Sequence, residues 1–294
     1  MTIVYVHGGV AGVRRDARAS LGPAVAAGSE GSSALDAVEA AVRLLEDEPT
    51  LNAGYGSVLH REGGIELDAG IVDGETGGWA GVANVDFAHP ISLARIVLEL
   101  TPHVLLTGTG AQAFGEAHGL ALLGRSTPEQ HSRWERAQSD GSLDATAFAH
   151  PEHVDTVGAV ALDGQSNLAV ASSTGGVFGK LPGRVGDAPI FGAGIYADRN
   201  VAVAGTGVGE LFLETLACLR VAHLMEEGMS VQHSCESAID MVRERGAQRA
   251  NHEAGSVSAG LLALASDGTL GAAFAGATWH VEGADGPVSA THVT

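Results

Sequence analysis

The sequence predicts an α+β fold of packed sheets and helices rather than a wound parallel sheet. Its strand and helix signals come in blocks instead of alternating strictly. Apolar residues make up 45 % of the 294, enough for a sizeable core and too many for a disordered chain. The 42 glycines carry no collagen-like period and punctuate the chain as turns.

Residues 2–7 read as a buried strand ending in a loop at Gly8, Gly9 and Gly12. A helix starts at Ser33, whose spacing to Asp36 resembles a capping box. Leu35, Val38, Val42 and Leu45 then recur at helical spacing, and Pro49 follows the end. Segments 64–72 and 79–86 pair as strands across Asp73-Gly74 and Gly77-Gly78 turns. Helices over 91–99 and 109–118, the second closed by Gly119, flank a short apolar segment at 103–106. From 124 to 154 the chain turns polar and loses apolar periodicity, which predicts a linker or mobile segment. Strands return at 156–163 and 167–173. Two long helices follow at 207–227 and 230–246. Strands at 256–265 and 270–276, joined by an Asp267-Gly268 turn, close the pattern. No internal repeat is visible.

The formal net charge is −19, and Lys180 is the single lysine. A nucleic-acid partner is disfavoured because phosphate binding needs a basic surface. An anionic membrane surface is disfavoured for the same reason. No window is long and apolar enough to span a bilayer, and no leader precedes His7, so the cytoplasm is the expected compartment. Cys218 and Cys235 cannot build a disulfide framework and read as ordinary thiols of a reducing compartment. The acidity points to a high-salt cytoplasm or a GC-rich genome. The 13 histidines show no metal-binding spacing, so no catalytic metal or other cofactor is expected. His7, His89, His103 and His223 read as packing or surface residues.

Three segments could carry chemistry. Asp155-Thr156-Val157-Gly158 joins the polar segment to a strand. A threonine hydroxyl is a weak nucleophile without a base, and a free N-terminal amine is such a base. Cleavage between Asp155 and Thr156 would create that amine, which titrates near about 7.7–8.0. The plainer reading is a threonine opening a strand. In Gly183-Arg184-Val185-Gly186-Asp187, the guanidinium fork suits a carboxylate and the aspartate suits an ammonium. The plainer reading is a surface ion pair. Ser173-Thr174-Gly175-Gly176 offers a hydroxyl after a strand. Gly205-Thr206-Gly207-Val208-Gly209-Glu210 opens a helix whose free N–H groups could hold an oxyanion, although glycine-rich helix starts are common. It lacks the Lys-Ser/Thr ending of a phosphate loop, so a nucleotide site is not expected.

In order, His7-Gly8-Gly9, Asn52-Ala53-Gly54-Tyr55-Gly56-Ser57, Glu66-Leu67-Asp68-Ala69, Asp73-Gly74, Pro90 to Arg95, Asp155 to Asp163, Ser173 to Gly176, Lys180 to Asp187 and Gly205-Thr206-Gly207 form one pattern. The pattern resembles the plant-type asparaginase/isoaspartyl peptidase family of N-terminal-nucleophile (Ntn) hydrolases, from residue 4 to about 276. The Thr156 and Arg184 motifs are its specific parts.

The resemblance implies a single domain, 1–294, with a four-layer αββα sandwich made as an inactive precursor. Self-cleavage would yield an α chain, 1–155, and a β chain, 156–294, assembled as a dimer of cleaved protomers. Thr156 would attack the side-chain amide of L-asparagine or the isopeptide bond of a β-aspartyl dipeptide. Thr174 would tune it, Thr206 and Gly207 would hold the oxyanion, and Asn52 would position the nucleophile region. Arg184 and Asp187 would grip the substrate α-carboxylate and α-ammonium. Val185, Gly186, Val208 and Gly209 would complete the substrate site. The resemblance also implies a structural sodium on the main-chain carbonyls of Leu45, Glu46, Glu48, Leu51, Ala53 and Tyr55.

Two departures stand out. Similar proteins often carry glycine where Val10 stands, and a β-branched residue cannot adopt positive φ cheaply, which bears on the speed of self-cleavage. The stretch Phe274 to His280 also departs from the family pattern and would reshape the pocket wall. The competing readings are a glycosylasparaginase-type amidohydrolase and a non-cleaving aspartate-binding homologue; Val10 alone favours the second.

Overall fold

The computed structural model describes residues 2–11, 18–144, 156–249 and 257–294. The first part runs β1 (Ile3–Ala11), α1 (Arg18–Ser29), α2 (Ala34–Asp47), β2 (Leu67–Asp73), β3 (Trp79–Val85), α3 (Pro90–Leu100), β4 (Leu105–Thr107), α4 (Gly108–Ala117) and α5 (Pro128–Asp140). The second runs β5 (Val157–Leu162), β6 (Leu168–Thr174), β7 (Ile195–Ala197), β8 (Val201–Gly207), α6 (Gly209–Thr215), α7 (Ala217–Glu226) and α8 (Val231–Gln248). It ends in β9 (Ala259–Ala265), β10 (Leu270–Ala275), β11 (Thr278–Gly283), β12 (Gly286–Val288) and β13 (Thr291–His292). The fold is mixed α+β with two sheets, ordered β12-β11-β1-β5-β6-β2-β3-β4 and β13-β10-β9-β8-β7.

Strand alternation explains the packing. On β5, Val157, Ala159 and Ala161 join a cluster with α2 residues such as Val38, Val42 and Leu45. Val160 and Leu162, one residue out of step, join Ala202, Ala204 and Leu262 of the other sheet. On β8 the roles invert: Val201 and Val203 pack with Val221 and Ile239 of α7 and α8. Each of these central strands therefore buries both faces, and burial at about 25 cal/mol per Å² is the main favourable contribution.

Several boundaries follow the sequence signals. Ser33 caps α2 by accepting from the Asp36 N–H at 3.1 Å, and Asp163 accepts from Ala34 N–H at 3.3 Å, tying the helix start to the β5–β6 turn. Other boundaries do not. β1 runs on through Gly8-Gly9 instead of ending there, with a bulge between His7 and Val10. Gly9 takes the positive φ of 95°, and Val10, outside the left-handed region, pairs with Trp279 in ordinary strand geometry. The polar stretch after 124 contains a helix, α5, because Thr127 caps it, Pro128 opens it and Gly141 at φ 76° ends it. Residues 145–155, including Asp155 and the expected cleavage bond, lie outside the described residues, as does Gly12. The helix expected over 207–227 is two helices, because Leu216 turns left-handed at φ 49°.

The turn after α2 is held by close approach. Gly54 has φ 47°, and a Cβ there would lie 2.3 Å from the Glu46 carbonyl oxygen. Gly54→Ala should therefore cost at least about 2 kcal/mol, from left-handed strain plus overlap with backbone. Urea denaturation checks this; an unchanged midpoint would contradict the crowded turn.

Candidate active site

Thr156, immediately before β5, is buried. Its hydroxyl donates to the Thr174 hydroxyl at 3.2 Å, at the end of the neighbouring β6. Its backbone N–H donates to the Thr206 hydroxyl oxygen at 3.3 Å, near the end of β8 in the opposite sheet. Thr206 also accepts from Val10 N–H at 3.4 Å, so one buried hydroxyl gathers β1, β5 and β8. Two threonines thus hold the two atoms of Thr156 that nucleophile-and-amine chemistry would use.

The glycines of Thr174-Gly175-Gly176 set the next contact. Gly176 N–H donates to Thr174 Oγ1 at 3.0 Å, while the Gly176 carbonyl accepts from Asn52 Nδ2 at 2.7 Å. Asn52 Oδ1 in turn accepts from Val58 N–H at 3.0 Å. Asn52 therefore braces the loop behind Thr174 and, among the described residues, makes no hydrogen bond to Thr156 itself. A Cβ on Gly176 would lie 3.3 Å from Arg184 Nη1, so this glycine joins the threonine cluster to the 183–187 loop.

In that loop Arg184 and Asp187 are neither a surface pair nor an ion pair with each other. Arg184 donates through Nε and Nη2 to the two carboxylate oxygens of Glu210, at 3.0 and 2.9 Å. Asp187 is buried, and its Oδ2 has no hydrogen-bond partner among the described residues. Burial pushes its pKa up to about 7, against the pull of its own backbone N–H and of Arg184. Gly209 lies between the two: a Cβ there would meet Asp187 Oδ1 at 2.8 Å and Arg184 Nη2 at 2.9 Å. A buried carboxylate and a half-buried guanidinium on either side of Gly209 suit a ligand carrying an ammonium and a carboxylate together.

Gly186 N–H donates to Asp68 Oδ2 at 3.1 Å, which fixes the loop, and Val185 is half-buried beside it. Thr206 and Gly207 end β8 rather than opening a helix. Val208 spends its N–H on Ser258 O at 3.1 Å, and α6 begins only at Gly209 with seven residues. The long helix dipole read from the sequence is thus absent from this position. Gly207 has φ 143°, and a Cβ there would fall 2.3 Å from Ser258 O.

The carbonyls of Glu46 and Leu51 turn onto Gly54 and Gly56, within 2.3 and 2.1 Å of where a Cβ would stand, with Glu48 O at 2.8 Å from the second. Leu45 O accepts from Glu48 N–H, Ala53 O from Gly56 N–H and Tyr55 O from the Ser126 hydroxyl, each keeping a second lone pair. This neutral oxygen set fits a hard cation.

Residue order assigns no role to Glu210, nor to Glu66 and Asp68 although both stand in the family pattern, and His7 reads there as a packing or surface residue. Asp68 and Glu66 pin the clamp loop through Gly186 N–H and, at 2.8 Å, Gly183 N–H. Buried Lys180 donates to Glu66 O at 2.7 Å, and burial pushes its ammonium pKa down. An acidic residue at an interior position of an apolar strand, such as Asp68, was the available signal. His7 is buried opposite Gly158, where burial pulls its pKa down to about 3 and the Thr156 backbone partly offsets this.

Asp187 yields a stability prediction with a sign. Its folded pKa is raised, so ionisation penalises the folded state, and stability is lost as pH rises from the ordinary carboxyl range through about 7. Asp187→Asn removes the penalty, so its melting temperature should gain more at pH 8 than at pH 5. Thermal melts at both values check this; equal shifts would contradict the buried-carboxyl account.

Residues 3–288 match the Asparaginase family. The isoaspartyl peptidase of Salmonella typhimurium is 42 % identical over 262 residues, covering 81 % of this chain and 83 % of its own length. The mouse isoaspartyl peptidase/L-asparaginase is 42 % identical over 261 residues, 83 % of this chain and 78 % of its own. The Escherichia coli isoaspartyl peptidase is 45 % identical over 224 residues, 71 % of this chain and 68 % of its own. With its threonine cluster, its Arg184–Asp187 loop and this coverage, the chain belongs to the asparaginase family.

Proposed function

We propose that this protein is a self-activating threonine hydrolase that releases L-aspartate from L-asparagine and from β-aspartyl dipeptides. One observation carries the reading: Thr156 has its hydroxyl at Thr174 and its nitrogen at Thr206, at 3.2 and 3.3 Å, and all three residues are buried. The names of the relatives, isoaspartyl peptidase and L-asparaginase, support the substrate class.

Cleavage of the Asp155–Thr156 bond turns the Thr156 N–H into an α-amine, giving an α chain of 1–155 and a β chain of 156–294 within one domain. The amine takes the hydroxyl proton as Oγ1 attacks the substrate's side-chain carbonyl. Thr206 and the Gly207 N–H stabilise the oxyanion. The amine returns the proton to the departing ammonia or amino acid, leaving a β-aspartyl ester on Thr156. Water, deprotonated by the same amine, cleaves the ester and frees aspartate. Arg184 holds the substrate α-carboxylate and Asp187 its α-ammonium, beside Gly209 and Gly186. Thr174 donates to Oγ1 once it is deprotonated, and Asn52 keeps the Gly176 carbonyl in place.

The inter-sheet and helix contacts support a four-layer αββα sandwich; the dimer of cleaved protomers, acting on small molecules in the cytoplasm, is carried over from the family resemblance alone. No described helix is long and apolar enough to cross a membrane. The carbonyls around Gly54 and Gly56 support a structural sodium; it would stiffen the loop carrying Asn52 and take no part in the chemistry. The non-cleaving binder loses its one support, since Val10 is in ordinary strand geometry.

Thr156→Ala should give one full-length band on a denaturing gel, where the parent gives two fragments, the smaller beginning at Thr156. It should also lower ammonia release from asparagine by at least about 10³-fold. Parent-like rates in the variant would end the nucleophile assignment. Replacing sodium by a larger alkali cation should lower the melting temperature, and an unchanged melt in every alkali salt would remove the sodium site.

A further inference from the structure

Glu210 pairs with Arg184 along one edge of the guanidinium, Nε and Nη2, and this pairing is bidentate. The end carrying Nη1 and Nη2 faces three glycines: the nearest Cβ positions are Gly186 at 2.9 Å and Gly176 at 3.3 Å from Nη1, and Gly209 at 2.9 Å from Nη2. The side-on partner therefore fixes the plane of the guanidinium and points its other donors into the space beside Asp187. The pocket is also acidic. Arg184 feels Glu210, Asp68 and Asp187, Lys180 feels Asp68 and Glu66, and Glu210 also feels Arg249, so four carboxylates face three cations. A ligand that brings only a carboxylate adds like charge, whereas one that brings an ammonium as well does not.

Resting on the hydrolase reading above, we propose that Glu210 is a positioning and specificity-determining residue: it holds Arg184 side-on and makes the pocket reject carboxylates that lack a neighbouring ammonium. Removing its charge should loosen that rejection and let the guanidinium swing. The Asp187 carboxyl, whose charged neighbours are Arg184, Glu210 and Asp68, should also ionise more readily.

The test uses the cleaved parent, Glu210→Gln and Glu210→Asp. Turnover of β-Asp-Leu is measured across pH, together with inhibition by succinyl-leucine, its analogue without the ammonium. In Glu210→Gln, succinyl-leucine should bind about tenfold more tightly relative to β-Asp-Leu. kcat should fall about tenfold or more, and the acid limb of kcat/KM should move to lower pH. Glu210→Asp, which keeps the charge, should keep the parent's discrimination and pH limb. Parallel weakening of both ligands, or an unmoved pH limb, would overturn the proposal. So would failure of both variants to fold, which would make Glu210 only the counter-ion of a buried arginine. If the parent itself does not turn over β-Asp-Leu, the hydrolase reading falls instead.

Discussion

The close approach of two sheets is the constraint on which this structure depends. Thr156 on one sheet can reach Thr206 on the other only because the residues between them are small. A Cβ on Gly158 would lie 2.5 Å from the His7 ring and 3.2 Å from Ala204. A Cβ on Gly70 would meet Ile195 at 2.5 Å, and one on Gly260 would meet Trp279 of the facing sheet at 3.1 Å. Dense packing with small side chains brings the strand ends together and makes the gap intolerant of an added methyl group. The pocket is a consequence of that spacing.

Charge is arranged around the same spacing. Buried Lys180, Asp187 and Asp68 and half-buried Arg184 would each be costly alone. They are tolerable because they face one another and because backbone N–H groups from Gly183 and Gly186 close the network. Asp187 is the exception: among the described residues one of its oxygens has no partner and burial raises its pKa, features that cluster at functional sites.

Much of this was legible in residue order. Short apolar runs bounded by turn residues marked β5, β6, β9 and β10, and Ser33 with Asp36 marked the start of α2. Thr156, Arg184 and Asp187 stood out through the joint family pattern, since each motif alone had a plainer reading. What stayed hidden depended on partners far along the chain. β8 was obscured by Gly205 and Gly207, which read as the opening of a helix, and α1 by Pro23 and two glycines within it. Glu210 showed no local signal, since its meaning lies in Arg184, 26 residues away. Val10 was misjudged because the neighbouring Gly9 takes the unusual φ.

The central claim is that Thr156 carries the acyl group on its own hydroxyl while its own nitrogen handles the proton. It is tested most directly by mixing cleaved protein with asparagine, quenching in acid within milliseconds, and measuring fragment masses. The account predicts a β-chain peptide beginning at Thr156 that is heavier by one aspartyl group and reverts on neutralisation. An adduct on any other residue, or full turnover with no adduct on Thr156 at any time point, would contradict it.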